Sequence, residues 1–358
     1  MRKLRRGQTI TSAFRLTLNR HGFTIGLAET KVAVMKQQMS KWTDVFLGTL
    51  LPMVPVPFDE QGQPDLRAVE SFAAWMKTQP VDGVALFADS SGGARLDRDR
   101  RLEILRRWRE ATEGLHLIVA VGPGDSTSRK SRLSSAVKAA KDAAEFADFL
   151  LVRPIGGSGK SSTSADGAVE YHRALAEVGV PLITISAAAV GDGSAYGGEV
   201  LDAVLEMPEV AAVRTGMNCS PIRMQDLITH MLIAHPDKAI LSGEDRMYGY
   251  SLYRGCHGAL TAIGSICPGL QRELVDSWFM SEAGRFLNLS RLIDHIAEAV
   301  FVEPLTGLSQ RILVALAHQG IIPDSATHDP TAPPISPKEE ELVRATLDAL
   351  WERCDVKS

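Results

Sequence analysis

The chain has 358 residues, of which 45% are hydrophobic and 23% charged, and carries a net charge of −4. That is an ordinary composition for a globular protein with enough chain to bury a full core, and the negative balance argues against a general nucleic-acid binder. No apolar run reaches the roughly 18 residues of a membrane span. The four cysteines, Cys219, Cys256, Cys267 and Cys354, form no CxxC pair and read as reduced thiols in a cytoplasmic protein, not as a disulfide frame or zinc site.

The first forty residues stand apart. Arg2, Lys3, Arg5, Arg6, Arg15, Arg20, Lys31 and Lys36 face a single acid, Glu29. An arginine-rich, acid-poor start can be a transit peptide. The plainer readings are a disordered extension, or an upstream start with Met35 or Met39 as the true first residue. Residues 1–42 are therefore expected to form a poorly ordered basic extension.

From residue 46 one unit repeats: a short apolar run ends in Gly, Pro, Ser or Asp, and a helical stretch follows. The runs are "FLGTLLPMV" (46–54), "GVALFA" (83–88), "HLIVAVG" (116–122), "ADFLLVRP" (147–154), "PLITISA" (181–187), "VAAVRTG" (210–216), "AILSGED" (239–245) and "GALTAIG" (258–264). Continuous apolar runs alternating with amphipathic segments such as "DLRAVESFAAWMK" predict βα units in a parallel sheet buried on both faces. Eight units predict a (β/α)8 TIM barrel over residues 43–268. A doubly wound sheet is the alternative, but its glycine-rich first turn is missing from "LLPMVPVPFDEQG". Residues 269–358 are expected to form helices packed on the barrel, interrupted by the loop "PDSATHDPTAPPISP".

Barrel chemistry sits at the carboxyl ends of the strands. The residues there are Ser90 and Ser91, Pro123, Arg153 and Ile155, Ser186, Arg214, Glu244 and Asp245, and Thr261. "PIGGSGKSST" (154–163) resembles a phosphate-binding loop. Its pattern lacks the first glycine, which is Pro154, and no helix starts at the Gly-Lys pair. It reads better as a glycine-serine loop over the mouth, with Lys160 close to the site. His230 and His235 make too weak a pair to count as a metal site.

Several pieces resemble one family. "PVPFDEQGQPD" is similar to the TPFD-x-x-G-x-x-D entry of the dihydrodipicolinate synthase and N-acetylneuraminate lyase family. "SGED" resembles its S-G-D-D, "GCHGALTAIGSICP" its eighth strand, and "FVEPLTGLSQRILVALAHQGI" its C-terminal helix. "ADSSGGARLDRDRR" lies where that family has G-[ST]-T-G-E. The resemblance runs from about Phe46 to Trp351.

The resemblance implies lyase chemistry on 2-keto acids such as pyruvate. In that family a sixth-strand lysine forms a Schiff base, a fifth-strand tyrosine relays protons, and a threonine pair binds the carboxylate. Here the lysine position falls on Arg214, the tyrosine on Ile185, and an arginine beyond it on Val190. The fourth-strand "YYN" falls on Ile155, Gly156 and Gly157. The threonine pair falls on Ser90 and Ser91, and the glutamate after it on Gly92 or Gly93. A guanidinium stays protonated and cannot serve as an amine nucleophile, but it can bind a carboxylate through two parallel hydrogen bonds. Arg214 could equally be held in a buried ion pair by Asp89, Glu244 or Asp245.

The expected function is thus a divergent lyase-superfamily barrel that acts on or binds a small carboxylate without a Schiff base. The alternative is a non-catalytic binding or regulatory homologue. Arg214, Ser90 and Ser91 are the expected catalytic residues, and Ser186, Thr261 and Lys160 join them in binding substrate. No cofactor or metal is expected. The partner is a small carboxylate, with no nucleic acid and no membrane, and the family habit implies a homodimer or homotetramer.

Overall fold

The computed structural model describes residues 17–19, 22–24, 40–88, 91–93, 96–123, 128–155, 163–186, 196–216 and 220–354. Ser90, Lys160, Asp89, Gly156, Gly157 and Val190 therefore lie outside the described residues, as does most of the basic N-terminal segment. Within that segment β1 (Thr17–Asn19) and β2 (Gly22–Thr24) pair antiparallel.

The core is a parallel sheet of seven strands in sequential order. They are β3 (Gly83–Leu86), β4 (His116–Val121), β5 (Phe149–Val152), β6 (Leu182–Ser186), β7 (Val210–Thr215), β8 (Ala239–Ser242) and β9 (Gly258–Ala259). The second to eighth apolar runs thus become strands. Nearly every strand residue is buried, which the helices on the outer face and the packed interior together explain.

The first run closes the ring without forming a regular strand. Leu51 N donates to the Ala259 carbonyl and Met53 N to the Thr261 carbonyl, both at 2.9 Å. On its other edge Ala85 N donates to the Pro52 carbonyl (2.8 Å) and Val54 N to the Ala85 carbonyl (3.0 Å). The segment bridges β9 through Leu50 and Ala259, and β3 through Met53 and Ala85. Pro52 and Pro55 have no N–H to give a ladder, so the pairing stays local. The fold is the expected TIM barrel. The eighth run corrects one expectation: strand pairing covers Gly258–Ala259 only, and the chain turns into a short 3-10 helix at Ile263–Ser265.

Ahead of the barrel, α1 (Lys41–Phe46) starts on a capping box at Ser40. The covering helices are α2 (Leu66–Thr78), α3 (Arg98–Ala111), α4 (Arg129–Ala143), α5 (Ala165–Ala176), α6 (Glu199–Leu205), α7 (Pro221–Ala234) and α8 (Tyr248–Arg254). Asp65 and Asp97 cap α2 and α3 by accepting from backbone amides of the first turn. Four more helices follow: α9 (Pro268–Phe279), α10 (Ala283–Val300), α11 (Leu308–His318) and α12 (Pro337–Cys354). Among the described residues no single helix is long and apolar enough to cross a membrane.

Candidate active site

Arg214 is the next-to-last residue of β7, in register with Ile185 on β6 and Leu241 on β8. It is 6% exposed. Its side chain runs across the strand ends: Nε donates to the Leu260 carbonyl at 2.9 Å, and Nη2 donates to the Gly243 carbonyl at 3.3 Å. Gly243 makes this path possible. A Cβ there would lie 2.8 Å from the Arg214 Cζ and 1.9 Å from the Thr215 carbonyl oxygen. The glycine of "SGED" is thus a requirement of close approach. These two bonds anchor the guanidinium to backbone carbonyls just past the ends of β8 and β9.

Asp245 stands in the same region. Its Oδ1 accepts from Ile263 N at 2.7 Å, while Oδ2 is buried with no hydrogen-bond partner. Burial pushes the carboxyl up to about 7; the Ile263 amide and the Arg214 guanidinium oppose that rise, and Glu244 adds to it. The Arg214 charge thus acts on Asp245 at a distance, with no hydrogen bond between the Asp245 Oδ2 atom and the guanidinium. The Thr261 hydroxyl is likewise buried without a hydrogen-bond partner. An unsatisfied buried polar atom costs about 1–3 kcal/mol, so these two leave unused hydrogen-bonding capacity at one set of strand ends. Ser186, at the end of β6, is in register with Thr215 and also buried.

These residues gather on the β6–β9 side of the mouth. Ser91 lies across the ring, after β3. It is buried, and its hydroxyl donates to the Ala88 carbonyl at 2.7 Å while its carbonyl accepts from Val56 N. The Ser91 proton is thus used locally. At Gly93, one of the two positions on which the glutamate was expected to fall, a Cβ would meet the Phe87 ring at 2.4 Å. Nearby, the loop between α11 and α12 reaches the mouth, where Phe58 pairs with His328.

A cleft of about 480 Å³ opens beside the mouth, between α3 and α4, and not in the barrel axis. Arg98, Arg101, Lys138 and Arg153 line it with one carboxylate, Asp142, which forms a two-point ion pair with Arg98. Arg101 stacks over Phe87 at 4.3 Å; burial and the neighbouring Arg153 charge push its guanidinium down to about 10. Reading strand ends alone named Arg153 but missed this cleft, because Arg98, Arg101 and Lys138 looked like ordinary charged helix faces.

Comparison with known proteins agrees with this architecture. The model of the dihydrodipicolinate synthetase family matches residues 46–350. A 4-hydroxy-tetrahydrodipicolinate synthase of Anaeromyxobacter sp. (strain Fw109-5) is 24% identical over 266 residues, covering 73% of this chain and 85% of that protein. Among solved structures, YagE, a prophage protein from E. coli K12 in complex with pyruvate, superposes with a TM-score of 0.72 at 18% identity, over 84% of this chain and 98% of that one. N-acetylneuraminate lyase from Fusobacterium nucleatum gives a TM-score of 0.71 at 16% identity, over 85% and 99%. The chain belongs to the dihydrodipicolinate synthetase family.

Proposed function

We propose that this barrel binds a small carboxylate of the 2-keto-acid class at its carboxyl-terminal mouth and acts on it as a lyase without a Schiff base. The observation that carries the reading is the Arg214 guanidinium, fixed by two carbonyls beside the unpartnered Asp245 Oδ2 and Thr261 Oγ1. Arg214 pairs with the substrate carboxylate or with oxygen charge developing on the keto group. Asp245, raised to about 7, exchanges the proton. Ser90, Ser186, Thr261 and Lys160 complete the binding set. The protein works in the cytoplasm as a homodimer or homotetramer.

The competing reading is a barrel that binds without turnover. It is favoured by Ile185, which has no hydroxyl to relay protons, and by the Ser91 hydroxyl, which is occupied by Ala88. One set of experiments tests both. Pyruvate with borohydride is expected to leave no covalent adduct by mass spectrometry, because a guanidinium does not form an imine. Pyruvate alone is expected to raise the melting temperature, and Arg214→Met to abolish that rise. In deuterium oxide, pyruvate methyl protons should exchange in a manner dependent on Asp245. Binding without exchange favours the non-catalytic reading. An adduct on Lys160 returns the protein to the imine-forming lyases and overturns the proposal.

A further inference from the structure

A second cluster lies at the opposite end of the barrel. Asp202 is on α6, His230 on α7, and His235 is the residue that ends α7, four positions before β8 begins. Both imidazoles turn to one oxygen. His230 Nε2 lies 2.7 Å from Asp202 Oδ1, and His235 Nε2 lies 2.9 Å from the same atom. The rings meet edge to face with centroids 5.9 Å apart. One ligand atom from each residue lies within 4.8 Å of the others, and no other such group of three occurs among the described residues.

We propose that Asp202, His230 and His235 bind a transition-metal dication, with zinc as the first choice. Two imidazole nitrogens and one carboxylate oxygen suit zinc, cobalt, nickel or copper, whereas calcium and magnesium prefer oxygen alone. Zinc–ligand bonds of about 2.0–2.2 Å in a tetrahedron set ligand atoms roughly 3.3–3.5 Å apart. The present Asp–His separations need to open by only about half an ångström to reach that spacing. His230 is the ligand with room to adjust, since its side chain is 47% exposed, while that of His235 is 10% exposed. In the neutral imidazoles the Nε2 proton moves to Nδ1 and Nε2 becomes the ligand. Lys238, the nearest cation in sequence, is taken up by the Met207 carbonyl at 2.9 Å and the Asp237 carboxylate at 3.3 Å.

Three protein ligands leave a fourth position, open to water on the His230 side. The location assigns the ion a fastening role. It would tie α6 to the end of α7 at the amino-terminal end of the strands, away from Arg214. The site owes nothing to the lyase reading and stands or falls separately.

The test uses the full chain stripped with a chelator and then dialysed against micromolar zinc. One equivalent is expected to be retained, with a melting temperature higher by several degrees. His230→Asn and Asp202→Asn should each lose that equivalent and that rise. His295→Asn, an exposed histidine elsewhere, should keep both. His230 is on the surface, so its variant should keep the wild-type circular dichroism. Cobalt(II) substitution should give visible ligand-field bands without a thiolate charge-transfer band, which separates this site from the cysteines. Zinc retained equally by both variants, a thiolate band, or binding only at millimolar zinc would each overturn the proposal.

Discussion

Arg214 and Asp245 extend from neighbouring strands, and the guanidinium holds down a carboxyl that burial drives up. The balance leaves Asp245 at about 7, against an ordinary 3.8. The folded protein therefore keeps a proton between about pH 4 and pH 7 that the unfolded chain has released. This contribution to stability falls as pH rises through that window and levels off above 7. Its full span is on the order of 4 kcal/mol at most. Asp245→Asn should flatten it, so the variant gains on the wild type in urea titrations at pH 8 relative to pH 5. Arg214→Met should push Asp245 higher still, seen as a later-titrating carboxyl carbon by NMR. No movement in that variant would mean that the two groups are not coupled.

Gly243 carries a steric prediction. A methyl group there would press on the Thr215 carbonyl oxygen at 1.9 Å and on the Arg214 Cζ at 2.8 Å. The backbone N of Gly243 also donates to the Thr215 hydroxyl at 2.8 Å, so the two strand ends cannot simply part. Gly243→Ala should cost about 2–4 kcal/mol and abolish any pyruvate-induced rise in melting temperature. A variant with unchanged stability would show that the strand ends yield more easily than the close packing implies.

Two buried histidines govern acid stability. His172 Nδ1 donates to the Ala168 carbonyl at 2.9 Å, which leaves Nε2 to accept from the Thr184 hydroxyl at 3.1 Å. His257 Nδ1 accepts from Ile240 N at 3.0 Å. Burial pushes both down to about 4 from 6.5. The unfolded chain takes up these protons first, so stability is present above about pH 6.5 and is lost as pH falls toward 4. At pH 5 each site should cost about 2 kcal/mol relative to neutral pH. His257→Asn keeps an acceptor near Nδ1 and has no such proton to gain. The stability gap between it and the wild type should therefore narrow on acidification, measured by chemical unfolding at pH 7 and pH 5. A constant gap would put the His257 titration elsewhere.

The barrel was legible because continuous apolar runs between amphipathic helices have few other solutions. Arg214 was legible as an anomaly, a permanent charge ending such a run. The irregular first strand was less so, since Pro52 and Pro55 weaken a ladder without preventing single bridges. The eighth run overstated its strand because the chain turns into a 3-10 helix at Ile263–Ser265, where Ile263 N donates to the Asp245 carboxylate instead of a neighbouring strand. The state of Asp245 was not legible at all. A carboxyl at a strand end can be solvated, paired or neutral, and its burial decides first, with the Ile263 amide, Arg214 and Glu244 adjusting the balance. The convergence of Asp202 on His230 and His235 was hidden for the same reason: the residues are 28 and 33 positions apart.

Arg311 supports the last prediction. It lies in the segment "GLSQRILVALAHQG", reads from sequence as one more helix charge, and is fully buried. Its guanidinium gathers the turn between α10 and α11: Nη1 donates to the Val300 carbonyl at 3.2 Å and the Val302 carbonyl at 2.9 Å, and Nη2 to the Pro304 carbonyl at 3.2 Å. Nε and Nη2 both reach Glu339 Oε1 in the first turn of α12, at 3.1 and 2.8 Å. The Ser336 amide and hydroxyl, donating to Glu339 Oε2, together with Arg311, hold the Glu339 carboxyl down to about 2. One buried cation thus joins three helices through backbone carbonyls and the Glu339 carboxylate. Arg311→Met removes the donors and strands those acceptors, which should cost about 3–5 kcal/mol. Arg311→Lys keeps the charge but loses the planar fork and should fall between the two. Glu339→Gln leaves Arg311 with its three carbonyls and should cost less than Arg311→Met. Urea unfolding at pH 7 orders the four proteins. The ranking fails if Glu339→Gln proves the most damaging, which would place the energy in the ion pair and not in the carbonyl cluster.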